Sequence, residues 1–154
     1  MAIARYPSFT LISQTKDLKT VKTLTYSEHG SPNVLTFTDV PDPSFGKGDA
    51  LIRVRATGVN RVDVAQRNGW FTLPNFSLPN IPGMDLAGEI VALGVDALRL
   101  ARARGLDIAI GDKVVVDPSM SKVPRSSSLH GNGDLYGNLD VIGATVAGGY
   151  AELC

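Results

Sequence analysis

Cysteine is almost absent from this chain of 154 residues, since Cys154 is the only one. A single cysteine excludes a disulfide within the chain and favours a reducing compartment, so we expect a cytoplasmic protein. The sequence also lacks an apolar run long enough to cross a bilayer. Basic and acidic residues number 15 each, and no basic cluster offers a face for nucleic acid. Membranes and nucleic acids are therefore not expected partners.

Acidic residues are missing from residues 1–16, where hydroxyl side chains are frequent. This pattern has a weak likeness to a transit peptide. Arg5 and Lys16 are the only basic residues there, which favours a plain N-terminal extension instead, over residues 1–20. Residues 21–154 are long enough for one domain with a core of its own.

Short β-rich runs, separated by glycine and proline, occupy most of this domain. The runs are Val21–Ser27, Val34–Val40, Ala50–Val59, Ala87–Gly94, Lys113–Asp117 and Tyr150–Leu153. Strands without regular helices between them indicate a mainly β fold, an antiparallel barrel or sandwich.

Two short helices interrupt the strands. Asn60 is a good N-cap for the first, with Asp63 at its third position and Gly69 just past its end. Asp63 and Arg67 are four residues apart, a spacing at which an ion pair can stabilise the helix. Asp96 is a candidate N-cap for the second helix.

Four stretches, in order GVNRVDVAQRNGWF, PGMDLAGEIVALG, GDKVVV and GGYAEL, resemble the N-terminal catalytic domain of the medium-chain dehydrogenase/reductase superfamily. The resemblance covers residues 21–154 and implies a GroES-like β-barrel. It is closest to the zinc-independent quinone-oxidoreductase branch, because Asn60 stands where the zinc enzymes have cysteine and Met84-Asp85 where they have His-Glu. Asn and Met are poor zinc ligands, so the resemblance implies no metal.

The lobe between Asp117 and Gly148 supports the same branch. In zinc members this lobe carries four cysteines, whereas here it has none and His130 is its only candidate ligand besides carboxylates. A lone histidine is more often a surface residue than a metal ligand. We expect residues 119–140 to be a mobile loop.

The resemblance implies an activity in which NADPH passes hydride to a quinone or conjugated carbonyl without metal. No Rossmann unit is found in the chain, since GNGDLYG has neither a preceding parallel strand nor a following helix. We therefore interpret residues 21–154 as an incomplete catalytic domain, inactive without a nucleotide-binding domain and prone to self-association through exposed apolar surface. The alternative is a free-standing GroES-like module that binds or scaffolds without catalysis.

Several residues follow as site candidates from this resemblance. Asn60 and Asp63 are the catalytic candidates, Asn60 and Arg67 the cofactor contacts, and the substrate pocket is assigned to Trp70, Phe71, Met84 and Asp85. Five of them have a structural alternative. Asn60 can be only a helix cap, Arg67 only the partner of Asp63, and the two aromatic side chains only core. For Asp85 the structural role is favoured, a carboxylate that accepts backbone N–H groups at the turn before a strand.

Overall fold

The structure is a computed structural model that describes residues 20–121 and 139–154. The extension before Thr20, and the part of the Asp117–Gly148 lobe that contains His130, lie outside these ranges, so the predictions made for them stay predictions. The strands are β1 (Thr20–Thr25), β2 (Thr36–Pro41), β3 (Ala50–Thr57), β4 (Leu86–Leu93), β5 (Lys113–Val116), β6 (Ser119–Ser121) and β7 (Leu139–Val141). The helices are α1 (Arg61–Arg67) and α2 (Ala97–Ala103), with a 3₁₀ turn at Pro32–Val34.

All the paired strands are antiparallel, as the sequence predicts. β1 pairs with β2, β4 lies between β3 and β5, and β6 pairs with β7. The described strands do not close into a barrel, so that part of the prediction is wrong. They form three separate sheets in the described part of the chain, because β2 pairs only with β1 and β5 pairs only with β4.

The last five residues join two of these sheets. The Leu24 amide donates to the Tyr150 carbonyl oxygen at 2.8 Å, and the Cys154 amide donates to the Ile52 carbonyl oxygen at 2.9 Å. The run Tyr150–Leu153, predicted as a strand, is instead an extended segment with single-residue bridges to β1 and β3. This segment provides hydrogen-bond partners for backbone groups on the facing edges of β1 and β3. Residues 149–152 therefore lie beside the end of β3.

Alternation along β3 and β4 builds the core. Ile52, Leu86, Ile90 and Ile142 are all buried and pack together. Over its first five residues β4 is buried at every second position, Leu86, Gly88 and Ile90, as expected for a strand with one face on the core.

The predicted start of β2 is wrong. Val34 does not begin β2, because it ends a 3₁₀ turn that starts at Pro32. Proline fixes φ near −65° and suits the first position of such a turn. Among the described residues, no helix has the length and apolar character required to span a bilayer.

Candidate functional site

The N-terminal end of α1 meets the start of β4 through two side chains. Asn60 caps α1 and is half-buried, and its Nδ2 donates to Asp85 Oδ2 at 2.8 Å. Asp85 precedes β4 directly and is exposed to solvent. We call these two residues the amide–carboxylate pair. The pair brings together a predicted catalytic residue and a predicted pocket residue that are 25 positions apart in sequence.

Asp85 fixes the same corner through its backbone. Its carbonyl oxygen accepts the Thr57 hydroxyl at 2.7 Å and the Gly58 amide at 3.0 Å. The prediction that its carboxylate accepts backbone N–H groups at the turn does not match these contacts, since the carboxylate accepts a side-chain amide. The carbonyl pins the end of β3 to the start of β4, which leaves the carboxylate available to orient Asn60.

Asp63 follows Asn60 by three residues and is buried, with only 4% of its surface exposed. Its carboxylate accepts the backbone N–H of Asn60 at 2.8 Å and that of Gly83 at 3.1 Å. Charge-assisted bonds of this kind satisfy a buried carboxylate and are strong. Asp63 thus ties the α1 N-terminus to the loop that carries Asp85, a geometry that suits a positioning residue.

Arg67 lies at the other end of α1. Its Nε donates to the Gly30 carbonyl oxygen at 3.0 Å and its guanidinium donates to Asn68 Oδ1 at 3.0 Å. The predicted ion pair with Asp63 does not form, because both Asp63 oxygens bind backbone N–H groups. Arg67 lies seven positions along α1 from Asn60, a rise of about 10 Å. The structure does not bring Arg67 to the pair.

The two predicted pocket aromatics lie on the surface. Trp70 is 78% exposed and Phe71 is 47% exposed, so neither is core. The Trp70 amide donates to the Ala65 carbonyl oxygen at 2.9 Å, which places this residue just past the C-terminal end of α1. Met84 is half-buried and lies next to Asp85 in sequence. The pocket assignment of Trp70, Phe71 and Met84 stays a prediction.

A different cavity lies near the pair and is lined by Thr57 and Val59, but by neither Asn60 nor Asp85. It is an open, mostly apolar groove of about 590 Å³. Its lining includes Phe37 and Val59, which are 85% and 76% exposed. Thr57 and Tyr150 line the part of the groove nearest to Asp85. This groove was not predicted from the sequence, although Val59, an apolar residue directly before the helix cap Asn60, is a signal that could have indicated it.

Tyr150 connects the groove to the loops of the site. Its hydroxyl donates to the Gly58 carbonyl oxygen at 3.2 Å. Its ring lies against Gly83, where a side chain would collide with it. Burial, with a smaller contribution from the negative charge of Asp63, raises the pKa of Tyr150 to about 12. The hydroxyl therefore stays protonated at neutral pH and acts as a donor.

We predict that the Tyr150 hydroxyl loses its proton only at unusually high pH. Because its pKa is raised from 10.0 to about 12 on folding, the stabilisation it contributes is complete below pH 10 and is lost as the pH rises towards 12. Absorbance of tyrosinate against pH measures this directly. The difference between the wild type and Tyr150→Phe should have its midpoint near pH 12, and a midpoint near pH 10 would contradict the structure.

The donor atoms at this corner do not suit zinc. Asn60 offers an amide, Met84 a thioether and Asp85 one carboxylate, whereas zinc sites use thiolates, imidazoles and carboxylates. Within residues 20–121 and 139–154, no cluster of three or more His, Cys, Asp or Glu side chains could hold a metal ion.

The fold and the site define a small antiparallel β domain that carries an amide–carboxylate pair where its helix meets its central sheet. Residues 46–154 match the alcohol dehydrogenase GroES-like domain family, and the chain belongs to that family. The GroES-like family and the mainly β fold expected from the four sequence stretches are thereby confirmed, apart from the closed barrel. The zinc-independent branch stays a prediction.

Similar proteins include quinone oxidoreductases as well as a zinc-bound alcohol dehydrogenase. The chain is 30% identical over 101 residues to an NADPH-dependent alkenal/one oxidoreductase of Arabidopsis thaliana, covering 65% of this chain and 26% of the relative. It is 35% identical over 100 residues to a quinone oxidoreductase of Triphysaria versicolor, covering 63% and 28%. A cobalt- and zinc-bound alcohol dehydrogenase from Pyrobaculum aerophilum has a similar structure, with a TM-score of 0.69, 26% identity and coverage of 88% and 39%. The chain thus spans about a quarter of the two curated relatives.

Proposed function

We propose that this domain is the substrate-binding half of a zinc-independent, NADPH-dependent oxidoreductase that reduces a quinone or a conjugated carbonyl compound. The observation that carries the proposal is the hydrogen bond between Asn60 and Asp85, at a corner whose donor atoms do not suit zinc. The relatives whose names give NADPH and quinone chemistry support the cofactor and the substrate class.

Asn60 is the residue that we expect to contact the substrate. A primary amide has two N–H donors and one acceptor oxygen. The oxygen takes part in the capping box of α1 and one N–H binds Asp85. The second N–H has no partner in the described part of the chain, and we propose that it donates to a substrate carbonyl oxygen. Such a preorganised donor stabilises negative charge that develops on oxygen during reduction.

The remaining residues have supporting roles in this proposal. Asp85 orients the Asn60 amide, and Asp63 fixes the backbone on which Asn60 is carried. The apolar groove beside the pair supplies a surface for a flat, apolar substrate. Bound NADPH supplies the hydride. The described strands are antiparallel and contain no βαβ unit to bind its pyrophosphate, so we assign that task to a nucleotide-binding domain outside them. We also propose that the exposed apolar side chains promote self-association when they are not covered.

The proposal is tested by NADPH oxidation with a simple quinone or enone. We compare the 154-residue chain with the protein encoded by its reading frame together with any coding sequence that follows codon 154. The longer protein should turn over and the chain alone should not, because hydride transfer requires donor and acceptor to be held together. If neither protein turns over with any quinone or enone, the domain is a binding module instead.

Within the active protein, we predict that Asn60→Ala lowers kcat/KM by about a hundredfold, since loss of one oxyanion donor has an effect of this size. Asn33→Ala is the matched control, because Asn33 is an exposed asparagine in the 3₁₀ turn. It should leave kcat/KM unchanged. Equal kcat/KM values for the two variants would show that Asn60 does not contact the substrate.

A further inference from the structure

Tyr150 lies between the two loops that carry the amide–carboxylate pair. The first loop, residues 58–60, follows β3 and ends at Asn60, the cap of α1. The second loop, residues 81–85, ends at Asp85, directly before β4. The 2.8 Å hydrogen bond between the two side chains therefore depends on how both loops are held.

The backbone and the ring of Tyr150 contact the second loop. The Tyr150 amide donates to the Pro82 carbonyl oxygen at 3.0 Å, and the Gly149 amide donates to the Gly83 carbonyl oxygen at 2.8 Å. A Cβ atom on Gly83 would collide with Cδ1 of the Tyr150 ring, so the ring packs directly against this backbone. Gly83 also has a φ of 100°, which favours glycine. Tyr150 is thus fixed to the loop that carries Asp85.

The hydroxyl of Tyr150 contacts the first loop. It donates to the Gly58 carbonyl oxygen at 3.2 Å. This carbonyl belongs to the peptide unit between Gly58 and Val59, directly before Asn60. The Gly58 amide donates to the Asp85 carbonyl oxygen at 3.0 Å, which restrains one side of the glycine. Because glycine has wide backbone freedom, the hydroxyl supplies a restraint on its other side.

We infer that Tyr150 is a positioning residue, whose hydroxyl sets the orientation of the peptide unit before Asn60 and so directs the second Asn60 N–H towards the substrate. This inference rests on the proposed function, in which that N–H donates to a substrate carbonyl oxygen. Val59 and Tyr150 both line the apolar groove, so the same hydrogen bond links a wall of the groove to the pair. Such support matters because a misplacement of about 1 Å can lower a rate about a hundredfold.

Steady-state NADPH oxidation by the longer protein, as in the test of the proposed function, measures the effect of the hydroxyl. Tyr150→Phe keeps the ring and removes only the hydroxyl. We expect it to lower kcat/KM about tenfold, less than Asn60→Ala does, because the donor is displaced rather than lost. Tyr26→Phe is the matched control, since it removes a different tyrosine hydroxyl, 3.4 Å from Gln66 Nε2, and should leave kcat/KM unchanged. Equal kcat/KM values for the two tyrosine variants would overturn the inference.

A double variant separates positioning from a general effect on stability. If Tyr150 acts through Asn60, adding Tyr150→Phe to Asn60→Ala should lower kcat/KM no further, because the donor that Tyr150 positions is already absent. Independent roles predict instead that the two losses multiply. Losses that multiply would therefore overturn the inference.

Gly58→Ala provides a rescue variant. Gly58 is exposed, and a Cβ atom there would lie 3.5 Å from Asp85 Cβ, an ordinary contact. Alanine restricts the backbone that the Tyr150 hydroxyl otherwise restrains. Adding Gly58→Ala to Tyr150→Phe should therefore recover part of the lost kcat/KM. No recovery would show that the hydroxyl does not act through Gly58.

Nuclear magnetic resonance of the 154-residue chain separates failure of this inference from failure of the proposed function, because it requires no turnover. The two N–H signals of the Asn60 side chain report its hydrogen bond to Asp85. We expect Tyr150→Phe to shift these signals and Tyr26→Phe to leave them at their wild-type positions. Unshifted Asn60 signals in Tyr150→Phe would overturn the inference. Shifted signals, in a protein whose longer form has no turnover, would support the positioning contact and overturn the proposed function alone.

Discussion

Asp63→Ala is expected to lower the free energy of unfolding by about 3 kcal/mol. Asp63 is 4% exposed, and its carboxylate satisfies the backbone N–H groups of Asn60 and Gly83. Removing the carboxylate leaves both donors without an acceptor, one of them fully inside the domain. Loss of a partner of a buried group costs its full desolvation, and the cost is larger when the partner is charged.

Urea unfolding, followed by circular dichroism, measures the free energy of unfolding of Asp63→Ala. Two further variants are compared with it. Asp63→Asn retains one acceptor oxygen and should fall between Asp63→Ala and the wild type. Asp39→Ala removes an exposed carboxylate that pairs with Lys22 at 3.3 Å, and such surface pairs contribute about 0.5 kcal/mol. A loss for Asp63→Ala no larger than that for Asp39→Ala would show that Asp63 does not hold the two loops together.

Gly88→Ala is expected to destabilise the domain by about 3 kcal/mol or more. Gly88 lies in the middle of β4, where it pairs with Val54 of β3. A Cβ atom at this position would collide with the Arg53 carbonyl oxygen and would lie 2.7 Å from Ile52 Cγ2. The backbone of β3 cannot move away without breaking its pairing, so the central sheet has to separate or distort.

Gly105→Ala is the matched control for this steric effect. Gly105 has a φ of 75°, past the end of α2, and no atom lies within 4 Å of an added Cβ. Its substitution costs only the backbone strain, about 1 kcal/mol. Thermal or urea unfolding should therefore show a clearly larger loss for Gly88→Ala. If the two variants lose equal stability, close packing of β3 on β4 is not what requires glycine at position 88.

Local signals in the sequence predicted local structure well. Asn60, Asp63 and Gly69 indicated α1 correctly because capping and termination depend on residues a few positions apart. The alternation in Ala50–Val59 likewise indicated β3. Val34 was misplaced because the same apolar residue can close a 3₁₀ turn or open a strand, and Pro32 decides between them.

Contacts between segments that are far apart in sequence could not be predicted from such local signals. The Asn60–Asp85 hydrogen bond depends on how β3 ends beside β4, which no local pattern encodes. Arg67 has the correct spacing for Asp63, yet two backbone N–H groups compete more successfully for that carboxylate. The run Tyr150–Leu153 has strand character, but it bridges two sheets rather than joining one. These contacts become visible only in the folded structure.

We propose that the corner formed by the amide–carboxylate pair binds substrate and holds no zinc ion. Elemental analysis of protein purified without chelator, from cells grown with zinc, tests it most directly. The account predicts a negligible zinc content, because Asn60 and Met84 supply no thiolate or imidazole at this corner. About one equivalent of zinc per chain, as structural and catalytic zinc sites bind, would contradict the account.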